Sequence, residues 1–372
     1  MSAECAVHLV FNRTLATKAE INFREGTAAM VTRIVDKASE GDLFKPSGLY
    51  GLDDDALFLV IQAPLLSTFI WTGTGKDFVT VEVQPTNGNG YNFYLGAGDD
   101  RLNGSNFEDR YFDQGGNDIV NLGGGGDWAI AGKGDDTIDG AGGVDSISFT
   151  QVFGDGYHPI SNDDDVTVAT QGVSLNLALT TAQYLGALGY DTFLNFENIY
   201  GTEGNDSFHG NAAENLLQGN GGNDYLRGRE GDDFLVGGRG ADTLIGDAGA
   251  DDIYTGDNDA SEGDGSNDIV KFTHISNSTE ESFDTVFNFE TFASGGGDKI
   301  DLAAIDANLS IVGDQSFAYR GTGSFISSGG EVRLFVFGSS TYVLVDNDAD
   351  AAAEMVILLN GASGLTANDF IL

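Results

Sequence analysis

An aspartate recurs every nine residues in two stretches of the chain, and this period constrains the fold more than any other feature of the sequence. The first stretch carries Asp100, Asp109, Asp118, Asp127, Asp136 and Asp145. The second carries Asp206, Asn215, Asp224, Asp233, Asp242 and Asp251. Two residues after each of these positions stands a hydrophobic residue, namely Leu102, Tyr111, Val120, Ala129, Ile138, Ile147, Phe208, Leu217, Leu226, Leu235, Leu244 and Ile253. The period predicts a solenoid in which every unit repeats one conformation.

Glycines precede the aspartates at fixed offsets, so that the unit reads Gly-Gly-x-Gly-x-Asp-x-apolar-x. They are Gly96, Gly98, Gly132, Gly134, Gly222, Gly231, Gly238, Gly240 and Gly249. Glycine permits positive φ, so the first six residues of a unit predict a tight turn. The last three predict a short strand whose middle side chain faces inward. Two units would close one coil of a parallel β-roll, with units two apart stacked on the same edge.

The composition limits the partners of such a fold. The chain has 58 acidic and 17 basic residues, a formal net charge of -41, and 54 glycines. This charge disfavours nucleic acid and anionic membrane surfaces and favours multivalent cations. Intrinsic disorder is the alternative for such a composition, but 25 phenylalanines and 12 tyrosines argue against it.

Oxygen is the only ligand type that the sequence offers in quantity for a metal. Cys5 is the single cysteine, which excludes an intramolecular disulfide framework and a thiolate cluster. The first residues do not form a cleavable secretory signal, and no apolar stretch reaches the roughly 18 residues of a membrane-spanning helix.

Stacked aspartates one strand spacing apart would repel one another strongly, and calcium would remove that repulsion. Calcium accepts six to eight oxygens in flexible geometry, whereas magnesium demands a stricter octahedron. We therefore expect the periodic aspartates and the nine glycines named above to form calcium sites. Three turns on an edge enclose two gaps, which gives roughly four ions per block. A metal-free glycine-rich solenoid is the alternative.

These units resemble the RTX nonapeptide repeats of hemolysin-type calcium-binding proteins. The resemblance implies a β-roll, calcium binding, and export by a type I secretion apparatus from a Gram-negative bacterium. Three C-terminal segments, Asp284–Phe289, Asp298–Asp306 and Leu365–Leu372, resemble the C-terminal domain of serralysin-type metalloproteases. In that family the domain completes the roll, and a tail like Asp369–Leu372 is the uncleaved secretion signal.

Some units depart from the pattern. Residues 104–109 and 210–215 lack most of the glycines, so metal binding there stays open. An earlier unit around Asp77 is out of phase, which fits either a cap or a coincidence. Asp346, Asp348 and Asp350 resemble the start of a calcium loop, but Ala351 replaces the expected glycine and Ile357 the expected glutamate. We expect an acidic surface turn there.

The predicted fold is all-β, a right-handed parallel β-roll in two blocks. Residues 1–94 form an N-terminal α/β or β cap or small module, with a helix at Thr27–Ala38 and a strand at Leu57–Ile61. Residues 95–148 form the first block, 149–200 spacer strands, 201–270 the second block, and 271–372 a C-terminal β domain with the secretion signal.

No catalytic motif accompanies the repeats. His8, His158, His209 and His274 are scattered, and none begins a zinc-protease motif. A Gly-x-Ser-x-Gly elbow is also missing. We therefore predict a secreted, non-enzymatic calcium-binding protein with a structural, adhesive or surface-associated role. Its candidate partners are a cell surface, a polysaccharide or a second copy. The alternatives are an RTX toxin or bacteriocin, or a small extracellular enzyme.

Overall fold

The chain is described by a computed structural model. The described residues are 58–61, 69–71, 76–81, 90–130, 132–150, 171–257, 264–295, 297–326, 329–348 and 352–372. The expected N-terminal helix at Thr27–Ala38 lies outside them. The chain divides into two compact units. The first comprises residues 1–168 and 179–196, and the second residues 169–178 and 197–372.

The described part of the first unit consists of short strands joined by turns, because each nine-residue unit leaves only a few residues between turns. Its strands are β1 (Phe58–Ile61), β2 (Phe69–Trp71), β3 (Phe78–Val81), β4 (Asn92–Ala97), β5 (Arg101–Asn103), β6 (Arg110–Gly115), β7 (Ile119–Asn121), β8 (Trp128–Ile130), β9 (Thr137–Asp139), β10 (Ser146–Ser148), β12 (Gln183–Tyr184) and β13 (Tyr190–Leu194).

The second unit contains the remaining strands. They are β11 (Ser174–Asn176), β14 (Asn198–Tyr200), β15 (Ser207–His209), β16 (Leu216–Gly221), β17 (Tyr225–Glu230), β18 (Phe234–Arg239), β19 (Thr243–Ala248), β20 (Asp252–Tyr254), β21 (Ile269–Lys271), β22 (Asp284–Phe287), β23 (Lys299–Asp301), β24 (Ala318–Tyr319), β25 (Glu331–Phe337), β26 (Ser340–Asp346), β27 (Met355–Leu359) and β28 (Phe370–Ile371). Three short 3-10 helices lie at Ile275–Asn277, Phe292–Ser294 and Ala367–Asp369.

Successive strands of the first unit alternate between two sheets. One sheet runs β1-β3-β5-β7-β9-β13-β12, and the other contains β2-β4-β6-β8-β10. Strands two apart in sequence pair in parallel, as Leu102 with Val120 and Tyr111 with Ala129. Two nine-residue units therefore form one coil, which is the predicted parallel β-roll.

The second unit also alternates its strands between two parallel sheets, but its C-terminal strands pair differently. One sheet runs β11-β15-β17-β19-β21-β23-β28, and the other contains β14-β16-β18-β20-β22 followed by β27-β26-β25-β24. Strands β25, β26 and β27 pair in antiparallel fashion, and β27 joins the roll through a parallel pairing with β22. The C-terminal residues therefore pack as part of this unit.

The hydrophobic core of the roll includes every residue that follows a periodic position by two. All twelve are no more than 1% exposed, as the strand period of two requires. The neighbouring strand residues face outward and are half-buried or exposed, as in β5 and β9. Among the described residues, no helix is long and apolar enough to cross a membrane.

Close contact between successive coils makes glycine necessary at the fourth position of the unit. Gly143 has a φ of 144°, and a Cβ there would stand 1.3 Å from the carbonyl oxygen of Gly125, one coil earlier. Gly240 has a φ of 115°, and its Cβ would stand 1.9 Å from the carbonyl oxygen of Gly222. The coils can stack at strand spacing because this Cβ is missing.

Candidate functional site: four aspartate ladders

The periodic aspartates of the first unit stack into two hydrogen-bonded ladders. On one edge the backbone N–H of Asp100 donates to Oδ1 of Asp118 at 2.8 Å, and the N–H of Asp118 donates to Oδ1 of Asp136 at 2.8 Å. On the other edge Asp109 donates to Asp127, and Asp127 donates to Asp145, each at 2.7 Å. The structure therefore confirms that alternate units lie on opposite edges of the roll.

The second unit repeats the arrangement. On one edge Asp206 donates to Asp224, and Asp224 to Asp242, each at 2.7 Å. On the other edge Asn215 donates to Asp233, and Asp233 to Asp251, each at 2.8 Å. We call each such stack of carboxylates a ladder, and each aspartate or asparagine in it a rung.

The second oxygen of most rungs has no hydrogen-bond partner. Within the part of the chain that the structure describes, Oδ2 is buried without a donor in Asp100, Asp127, Asp136, Asp191, Asp224, Asp233, Asp242, Asp251 and Asp284. A buried carboxylate oxygen without a donor or a counter-charge is costly. These rungs therefore have the ligand chemistry that a hard cation requires.

In several units the first position is a glycine whose backbone lies against this oxygen. A Cβ added to Gly219 would stand 2.1 Å from Oδ2 of Asp224, and one added to Gly246 would stand 2.0 Å from Oδ2 of Asp251. A side chain at either of these positions would displace the carboxylate. The donor set of oxygens fits a calcium ion.

Burial raises the pKa of the ladder carboxyls. The pKa of Asp100 and of Asp224 rises from 3.8 to about 8, and that of Asp242 to about 7. The N–H donated by the previous rung opposes this shift, and the negative charges of neighbouring rungs add to it. A ladder without cations therefore holds protons more tightly than the unfolded chain does.

In some rungs the second side-chain atom already has a hydrogen-bond partner within the protein. Oδ2 of Asp109 accepts the N–H of Ser105 at 2.6 Å, and Oδ2 of Asp206 accepts the N–H of Thr202 at 2.7 Å. The side-chain amide of Asn215 instead donates to the carbonyl oxygen of Glu197 at 2.9 Å. Two of these rungs end the segments 104–109 and 210–215, in which the sequence departs from the repeat. Because their second side-chain atom already has a hydrogen-bond partner, these rungs are weaker ligands for a cation.

One rung of the first unit, Asp118, lies beside a tyrosine hydroxyl and an additional carboxylate. The hydroxyl of Tyr111 donates to Oδ2 of Asp118 at 2.6 Å. Asp113 lies beside this pair, and carboxylate oxygens of Asp113, Asp118 and Asp136 all lie within 4.8 Å of one another. Burial and the charges of Asp118 and Asp136 raise the pKa of Asp113 to about 10.

Most of the glycines proposed as site residues take up the backbone conformation that the turns require. Positive φ occurs at Gly98, Gly134, Gly222, Gly231, Gly238, Gly240 and Gly249 but not at Gly96 or Gly132. Gly132 donates its N–H to Oδ2 of Asp113 at 3.0 Å. The role of these glycines and aspartates in holding a metal stays a prediction.

The ladders contain five aspartates that lie outside the nine-residue period. Asp77 donates to Asp100, so the out-of-phase early unit belongs to a ladder. Asp191 accepts from Asp136, Asp268 from Asp242, Asp298 from Asp268, and Asp284 from Asp251. Each is followed two residues later by a buried hydrophobic residue, namely Val79, Phe193, Val270, Ile300 and Val286. This pattern of an aspartate followed two residues later by an apolar residue could have identified the five aspartates from the sequence.

The acidic segment near the C terminus differs from the expected surface turn. Asp346 is completely buried, and carboxylate oxygens of Asp346, Asp348 and Glu354 lie within 4.8 Å of one another. Asp350 lies outside the described residues. The prediction of a surface turn was therefore wrong for Asp346, because the strand β26 ends in the protein interior and not at its surface.

Comparison with known proteins agrees with the geometry of the ladders. Residues 112–147, 200–235 and 227–259 match the family model of the RTX calcium-binding nonapeptide repeat. These segments carry most of the rungs described above. The chain therefore contains segments that match the RTX calcium-binding nonapeptide repeat, and the structure arranges them as a parallel β-roll.

Among solved structures, the chain is similar to the solution structure of the AlgE6R3 subunit of the mannuronan C5-epimerase from Azotobacter vinelandii. The identity is 22%, the match covers 45% of this chain and 78% of that chain, and the TM-score is 0.20. A search of curated proteins found no match.

Proposed function

We propose that this chain is a secreted calcium-binding protein whose two units fold when their aspartate ladders take up extracellular Ca²⁺. The observation that carries the proposal is the row of buried Oδ2 atoms without donors, as in Asp224, Asp242 and Asp251. In the absence of a cation each of these carboxyls would either carry an uncompensated buried charge or bind a proton. A divalent ion between rungs would compensate two such charges.

Calcium suits these ladders better than other common cations. The available ligands are carboxylates and backbone carbonyls, and calcium prefers six to eight such oxygens in flexible geometry. Most of the rungs that would hold the ions have an unpaired oxygen, and the carbonyls of the glycine turns would supply further ligands. The bound ion would supply positive charge and would cross-link successive coils. The number of roughly four ions per block stays part of the proposal.

Calcium uptake would also determine where the protein folds. Sites of the extracellular class bind calcium with dissociation constants of about 0.1–1 mM. Binding to the folded state alone stabilises that state by mass action. With the scarce free calcium of a cytoplasm, the acidic units would stay unfolded. The repeats are typical of extracellular proteins, and this supports secretion through a type I apparatus.

The C-terminal tail is consistent with export before folding. In the folded chain β28 pairs with β23, Phe370 is 8% exposed and Asp369 is fully buried. An apparatus that recognises these residues could reach them only in the unfolded chain. The serralysin-like identity of this region and its role as a secretion signal are part of the proposal.

We assign the folded protein a structural, adhesive or surface-associated role and no catalytic activity. The periodic aspartates serve the ladders. A cell surface, a polysaccharide or a second copy would be the partner.

A calcium titration of the full chain tests the proposal. The purified chain is stripped of metal and followed by circular dichroism. We expect strong β signal to appear cooperatively as free calcium approaches about 1 mM, and magnesium at the same concentration to be much less effective. An unchanged spectrum, or equal folding with magnesium, would refute the calcium switch.

A further inference from the structure

Tyr111 stands where other units place a smaller core residue. It occupies the inward position of its unit and is completely buried. Its cross-strand neighbour is the small Ala129, which leaves room for the ring. The phenol therefore reaches a ladder from within the core and donates to Asp118 at 2.6 Å.

Asp113 introduces a carboxylate that the repeat does not require. It stands at the first position of its unit, where the neighbouring units of the same edge carry Leu95 and Ala131 and two units of the opposite edge carry Gly104 and Gly140. Oδ1 accepts the N–H of Gly115 at 2.9 Å, and Oδ2 accepts the N–H of Gly132 at 3.0 Å. These bonds hold Asp113 beside the ladder, with the two N–H donors coming from successive coils.

The three carboxylates are close together and one of them has an unpaired oxygen. Oxygens of Asp113, Asp118 and Asp136 lie within 4.8 Å of one another. Asp136 is 1% exposed, its Oδ1 accepts the N–H of Asp118, and its Oδ2 has no hydrogen-bond partner. Backbone N–H groups and a phenol donate to this cluster, and the carboxyls of Asp113 and Asp118 are hydrogen-bonded to each other, which requires a proton on one of them. A bound cation would displace that proton and leave three carboxylates around the ion.

We propose that Asp113, Asp118 and Asp136 form a three-carboxylate cation site of higher affinity than the other ladder gaps, with the Tyr111 ring positioned beside the ion. The inference rests on the proposed function, because it assumes that ladder gaps take up cations. It adds that the gaps between rungs differ in their affinity for a cation. Affinity for calcium increases with the number of charged ligands and with the rigidity of the site, and this site has an additional carboxylate that is held by two hydrogen bonds.

This site should fill first and should favour the cation with the highest charge. Three carboxylates leave one negative charge beside a divalent ion and none beside a trivalent ion. A trivalent lanthanide of calcium-like size is therefore a suitable probe. Because the Tyr111 hydroxyl contacts a ligand carboxylate, light absorbed by the ring should be transferred to a luminescent lanthanide bound there.

The test is a terbium titration of the full chain, with tyrosine excitation and emission read from the metal. Four proteins are compared: wild type, Asp113→Asn, Tyr111→Phe, and Asp139→Asn as the control. Asp139 is on β9 of the same unit and outside the ladders, and its substitution removes the same charge. Calcium competition and circular dichroism are recorded for each protein.

We expect the first equivalent of terbium to bind tightly and to emit strongly in the wild type. Asp113→Asn should weaken that first equivalent by about tenfold, and Asp139→Asn should leave it unchanged. Tyr111→Phe should still bind it but lose most of its sensitised emission. Wild-type affinity in Asp113→Asn, or undiminished emission in Tyr111→Phe, would overturn the inference. Loss of calcium-induced folding in the wild type itself would instead refute the proposed function.

Discussion

The backbone N–H of Asp224 donates a 2.7 Å hydrogen bond to Oδ1 of Asp242, eighteen residues further along the chain. The Oδ2 atoms of both residues are buried without a donor. One oxygen of each carboxylate therefore maintains the stacking of the coils, while the other is available to a cation. This division of roles connects the fold to calcium binding, and the following predictions depend on it.

Replacing a rung that has an unpaired oxygen should weaken calcium-induced folding. In Asp242→Asn, Oδ1 can still accept its hydrogen bond, but an amide replaces the charged ligand. We expect the calcium midpoint of folding, measured by circular dichroism, to rise by about tenfold. Asp252→Asn is the matched control, because it removes the same charge from an outward-facing position of β20. Equal midpoints in the two variants would contradict the role assigned to Asp242.

Two adjacent glycines should differ sharply in their tolerance of alanine. Gly143 has positive φ, and a Cβ there would overlap the carbonyl oxygen of Gly125, whereas a Cβ on Gly142 would meet its nearest atom at 3.8 Å. Gly143→Ala should lower the free energy of unfolding by at least about 2 kcal/mol, and Gly142→Ala by less than about 1 kcal/mol. Urea denaturation at saturating calcium measures both. Similar losses would show that the coils are not stacked as described.

Mild acid should partly replace calcium. The pKa of Asp100 is about 8 and that of Asp242 about 7 in the folded chain, against 3.8 ordinarily. The folded state without calcium therefore binds more protons than the unfolded state. Its stability should rise as the pH falls from about 8 towards about 4, and should be lost as the pH rises through these pKa values.

We expect the calcium-free chain to gain β signal between about pH 8 and pH 5, because its ladders become protonated. With calcium present, the same acidification should raise the calcium midpoint, since protons compete for the carboxylates. Circular dichroism at several pH values, with and without a chelator, measures both effects. A calcium-free spectrum that stays unfolded down to pH 5 would contradict the predicted proton uptake.

Deleting the last eight residues, Leu365–Leu372, should abolish export. The chain should then accumulate inside the producing cells, as measured by comparing cells with culture medium. The deletion also removes β28 from its pairing with β23, so the purified variant should require more calcium to fold. Full-length levels of the truncated chain in the medium, folded or degraded, would show that the secretion signal lies elsewhere.

The sequence predicted the roll well because the repeat itself determines it. The nine-residue period, the turn glycines and the single inward residue specify two strands per coil, and Leu235 and Leu244 are buried where that pattern places them. The expected strand at Leu57–Ile61 corresponds to β1. The division into five segments and the number of ions stay predictions.

Other parts of the ladders could not be predicted from the nine-residue period, because they depend on contacts that only the folded chain makes. Asp191 and Asp284 join their ladders across 55 and 33 residues of chain, where insertions hide the repeat. The turn glycines are also missing before Asp284, whereas Gly189 keeps the fourth position before Asp191. The pairing of Ser105 with Asp109 depends on how the turn orients a hydroxyl and an N–H. The reach of Tyr111 to Asp118 depends on the small Ala129 opposite, which only the paired strands reveal.

A diffraction experiment on the calcium-loaded protein, with anomalous scattering from the metal, tests the ladders most directly. We expect calcium peaks about 2.3–2.6 Å from the Oδ2 atoms of rungs such as Asp224, Asp242 and Asp251. Oδ2 of Asp206 should keep its hydrogen bond to Thr202. A folded roll with no metal density beside the unpaired oxygens, at millimolar calcium, would contradict the proposal that cations bind between the rungs.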